Sequence, residues 1–86
     1  MSNKKISKSE FLSRLRYVRG EMEINYGTHA SMIDRCEKYY RECFIKGDRE
    51  AAKHWVEEKV FFEHRAKCEK DAMDDLDYMI EKTKNM

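Results

Sequence analysis

Apolar and weakly polar side chains recur along this chain in alternating steps of four and three. A first stripe runs Phe11, Leu15, Val18, Met22, Asn25, His29, Met32, Cys36, Tyr39 and Cys43. A second runs Ala52, Trp55, Lys59, Phe62, Ala66, Glu69, Met73, Leu76 and Ile80. That rhythm keeps one face of an α-helix turned toward a partner helix. The chain is therefore expected to be all-α, with the two stripes packed against each other.

The punctuation of the pattern predicts the ends of the helices. Ser7 and Glu10 have the spacing of a capping box, and Ile6 and Phe11 that of a hydrophobic staple. Gly27 suits a left-handed residue after a helix, Thr28 an N-cap, Gly47 a second stop and Asp48 a second cap. These signals predict helices over about 8–26, 29–46 and 49–84, in a single domain spanning 1–86, with residues 1–5 frayed. Two architectures accommodate them. One is a bent antiparallel hairpin, in which the first two helices form a rod jointed at Gly27. The other is an open three-helix bundle. The bent rod matches the third helix better, because roughly 36 residues extend about 54 Å. A tight turn at Gly47-Asp48 would then pair positions whose numbers sum to about 95, so that Cys43 faces Ala52, Met22 faces Met73 and Leu15 faces Ile80.

Charge supports the same pairing. Lys4, Lys5, Lys8, Arg14, Arg16 and Arg19 stand near the start against Glu10 alone, and the end they would meet carries Asp71, Asp74, Asp75, Asp77 and Glu81. Opposite blocks of this kind favour one orientation and register. Over the whole 86 residues the net charge is only +1, although 41% of residues are charged. This near-balance argues against nucleic acid as a partner, since binding to it rests on positive excess. No apolar run approaches the roughly 20 residues of a membrane span, and the polar start has no signal-peptide core. Cys36 and Cys43 are too far apart on one helix to bond. With Cys68 they are expected to be reduced thiols in a cytoplasmic protein.

Chemistry is sparse. Asn25, His29 and Glu69 fall at stripe positions near the middle of the hairpin and are expected to form a polar core layer. Such a layer either satisfies itself and fixes register, or lines a small pocket with His29 and Glu69 as acid and base. Near the N-terminus Arg14, Arg16, Tyr17 and Arg19 combine cations with an aromatic ring, a composition that suits an anionic ligand such as a nucleotide. The acidic run 71–77 lacks the loop and glycine of a calcium site. His29, His54, His64 and the cysteines lack the close pairs of a zinc site, and Glu-x-x-His is absent. No catalytic residue, metal or cofactor is expected, and the chain is not expected to be an enzyme.

Apolar residues also exceed what two stripes use. The surplus includes Leu12, Ile33, Tyr40, Phe44 and Ile45, then Val56, Val60, Phe61, Cys68, Ala72 and Met79. Contiguous apolar surface on a small protein marks association, and Val56, Val60, Phe61 and Cys68 are the expected homo-oligomer interface. The expected function is thus binding: an adaptor or inhibitor that meets a protein partner through helical faces. The alternative is sequestration of a phosphorylated small molecule or cyclic nucleotide between subunits. In short length, helicity and lack of catalytic motifs, the chain is similar to small phage-encoded helical proteins that block host defence proteins or soak up signalling nucleotides. That likeness of character implies a phage or mobile-element origin and transfers no residue roles.

Overall fold

The computed structural model describes residues 5–86; part of the stretch expected to fray, and Lys4, lie outside them. Two helices account for nearly all of it: α1, Lys8–Ile45, with 38 residues, and α2, Arg49–Lys84, with 36. They pack on each other as an antiparallel hairpin.

The expected joint at Gly27 is absent, so two expected helices, 8–26 and 29–46, are one, and the described residues form two helices, not a three-helix bundle. Gly27 is helical, and Thr28 Oγ1 donates back to the Ile24 carbonyl at 3.1 Å instead of capping a new helix. A glycine inside a helix costs about 1 kcal/mol relative to alanine. Continuous packing of the stripe against α2 on both sides of Gly27 outweighs that cost. The glycine that does end a helix is Gly47, at φ +81°. Its N–H donates to Phe44 O, and the Asp48 N–H donates to Cys43 O at 3.0 Å, the paired bonds of a Schellman motif. Asp48 Oδ1 then accepts the Ala51 N–H at 3.1 Å, so one residue closes α1 and opens α2. At the other end Ser7 caps α1 by accepting the Glu10 N–H. The capping box is only half formed, because the Glu10 carboxylate accepts from Arg14.

The pairs across the hairpin follow the expected sum of about 95: Arg19 with Asp77, Glu37 with Lys59, His29 with Glu69, and Tyr39 with Trp55. Lys8 Nζ reaches the Lys84 and Met86 carbonyls at the open end.

The second stripe is buried or half-buried throughout, as expected. The first is not. Leu15, Met22, His29, Cys36 and Cys43 face α2, and Met32 is half-buried, but Phe11, Val18, Asn25 and Tyr39 are exposed, while Leu12, Arg19, Tyr26, Ile33 and Tyr40 are partly covered. Positions three and four residues from a seam residue lie on its opposite flanks. The sequence reading took the wrong flank of α1 as the more buried one. The hairpin thus has two broad faces. One carries the Arg19–Asp77 and Glu37–Lys59 bridges; we call it the bridged face. The other, the open face, carries positions 11, 18, 25, 32 and 39.

Candidate functional site

The polar layer lies halfway along the hairpin. The ring of His29, on the α1 seam, meets Glu69 of α2, with Nδ1 2.8 Å from Oε1. A carboxylate can only accept, so Nδ1 carries the hydrogen and Nε2 is left as an acceptor in the neutral ring. Both side chains are largely covered, at 22% and 13% exposure, and the imidazole stacks on Phe62 with centroids 5.6 Å apart. The pair lines a shallow groove of about 500 Å³ on the open face with Met22, Asn25, Arg65, Cys68 and Ala72. Asn25 shares the groove but is exposed and stands outside the hydrogen-bonded pair. The arrangement holds one imidazole in one orientation. Among the described residues no group of three histidine, cysteine or acidic side chains could hold a metal ion.

The N-terminal basic cluster is spread around α1. Arg19 turns toward α2, with Nε 3.0 Å from Asp77 Oδ1 and a further bridge to Glu23. The hydrogen bond to Asp77 leads the causes that raise its pKa above the ordinary arginine value. Arg14 pairs with Glu10 along the helix. Arg16 is exposed. Tyr17 projects to solvent with 70% exposure, about 100° around the helix from Arg16. The four residues are neighbours in sequence, but they do not converge on one point.

The expected oligomer residues also divide. Val56 and Val60 share one side of α2 at i, i+4, whereas Phe61 and Cys68 share another at i, i+7. Val56 joins Tyr40, Phe44, Arg49, Ala52 and Lys53 in a mainly apolar groove of about 470 Å³ on the bridged face, beside the turn. The rings of Tyr40 and Phe44 lie 6.1 Å apart there. Phe61 meets the Arg65 guanidinium over its ring, and Cys68 lies at the central groove. In the sequence Tyr40 and Phe44 stand out as surplus apolar residues, not as two walls of one groove. Their i, i+4 spacing just before the turn, facing Arg49 and Lys53 just after it, was the signal that pointed to a groove.

The three cysteines are free. Cys36 is fully buried, and burial, with a smaller contribution from Glu58, pushes its thiol up from the ordinary value. A protonated, inaccessible thiol is a packing group, not a nucleophile. Cys68 is exposed, with His64 Nε2 3.7 Å from its sulfur. Among the described residues no helix is long and apolar enough to cross a membrane. No family model matches the chain, and no curated protein or solved structure matches it significantly.

Proposed function

We propose that this is a non-catalytic binding protein, an adaptor or inhibitor that engages a partner protein through the apolar groove beside its turn. The observation that carries this reading is the state of Phe44. It is 64% exposed in a groove whose other walls are Tyr40, Ala52 and Val56. Exposed aromatic groups in a largely preformed groove are characteristic of a helix-docking surface. Arg49 and Lys53 line the same groove, so the segment that fits it is an amphipathic helix with acidic residues beside its apolar stripe.

The reading is tested by native mass spectrometry of the protein isolated from the cells that make it, beside a Phe44→Asp variant. The expected result is a stoichiometric protein partner on the wild-type chain and none on the variant. A retained nucleotide that disappears with Tyr17→Ala would overturn the proposal in favour of ligand sequestration. A protein partner indifferent to Phe44→Asp would overturn the choice of groove.

A further inference from the structure

The hairpin is a single layer of helix. Its Cα atoms span 63 × 28 × 14 Å, and small domains normally bury their apolar faces between two layers. A compact chain of 10.4 kDa would expose about 5,400 Å², whereas this one exposes 6895 Å². The surplus of about 1,500 Å² exceeds the roughly 800 Å² that each partner contributes to a standard protein interface, and it is the size an obligate dimer uses.

Part of the exposed apolar surface lies on the open face. Phe11, Val18, Tyr39 and Met79 are between 39% and 42% exposed there. Each has one side against its own hairpin and the other in solvent. On α1 the pattern is symmetrical about Asn25: Val18 and Met32 lie seven residues to either side, and Phe11 and Tyr39 fourteen. Seven-residue spacing keeps all five on one line of the helix. A two-fold axis through the Asn25 layer therefore maps this line onto itself, with apolar positions meeting apolar ones and Asn25 meeting Asn25.

We infer that a second copy of this chain covers the open face, antiparallel, to make a four-helix bundle with Asn25 at its centre and a His29–Glu69 layer on either side. Asn25, exposed in the single hairpin, becomes the buried polar residue that fixes register. The bridged face, with its ion pairs made internally, stays outside and keeps the turn groove free. This surface is separate from the one in the functional proposal, so either can fail alone.

Sedimentation equilibrium and paired-cysteine cross-linking test the inference. The wild-type chain should sediment at twice its chain mass at micromolar concentration. Val18→Asp should return it to the chain mass, and Phe44→Asp should leave the dimer intact. In a Cys43→Ser, Cys68→Ser background, mixed Val18→Cys and Met32→Cys chains should cross-link to each other in preference to themselves. This second readout stands even if Val18→Asp loses helicity. A wild-type chain that stays at its chain mass at high micromolar concentration overturns the inference. So does a dimer broken by Val56→Asp but not by Val18→Asp, or a cross-link of each cysteine variant only to itself.

Discussion

The two broad faces of the hairpin are built from the same two helices and hold them together by different means. On the bridged face long charged side chains reach across, as in Arg19–Asp77 and Glu37–Lys59. On the open face rings meet: Tyr39 lies 4.9 Å from Trp55, and His29 stacks on Phe62. Exposed ion pairs gain little in water, because both charges were already solvated and the side chains lose freedom. Removing ring surface from water gains more. The bridged face therefore sets orientation and register, and the open face supplies more of the adhesion.

The largest test of that contrast is Trp55→Ala. It should cost about 2–4 kcal/mol in urea denaturation, at the lower part of the range for deleting a large core side chain because Trp55 is half-buried. A loss smaller than that of any charge deletion on the other face would break the comparison. Glu69→Ala comes next. It strands the His29 N–H in a part-buried site and should cost about 1–3 kcal/mol. A Glu69→Gln variant, which keeps an acceptor, should recover part of the loss.

The third test lies outside both faces. A Cβ added at Gly27 meets nothing within 4 Å, so Gly27→Ala should raise stability by about 1 kcal/mol through helix propensity alone. A decrease in the melting temperature would show that this position is packed against another molecule. The smallest effect belongs to the Glu37–Lys59 bridge. A double-mutant cycle should give a coupling of about 0.2–1 kcal/mol that shrinks as salt is raised. A salt-insensitive coupling as large as the Trp55→Ala loss would erase the distinction between the faces.

The α2 stripe was legible because Ala66 and Leu76, each flanked by charges on both sides, anchor the seam and one of its flanks, and the count from them chooses Trp55 over Val56 and Phe62 over Phe61. On α1 the pattern was ambiguous. Phe11 competes with Leu12, Met32 with Ile33, and Tyr39 with Tyr40. Apolar pairs at adjacent positions satisfy either flank of a seam equally, so periodicity cannot choose between them. The joint at Gly27 failed for another reason. A stop signal is a local preference of about 1 kcal/mol, and the packing that overrides it is spread along the neighbouring helix. The polar layer was half legible. Spacing brought His29 and Glu69 together, but Asn25 lay on the ambiguous flank. The turn groove could not be found from either stripe, because apart from Ala52 it joins positions that neither stripe contains.

The Gly47-Asp48 turn also has a consequence for how the chain closes. Rungs near it join residues only a few positions apart, whereas the last rung joins Lys8 to the Lys84 carbonyl, 76 positions away. Forming that distant contact first would require closing a loop of nearly the whole chain. Once Cys43 and Asp48 have met, each further rung extends an ordered neighbour and the remaining loop is always short. The molecule can fold as a zip fastener does, from the turn outward, despite contacts that look long-range on paper. Amide hydrogens should then be best protected beside the turn and progressively less so toward the open end.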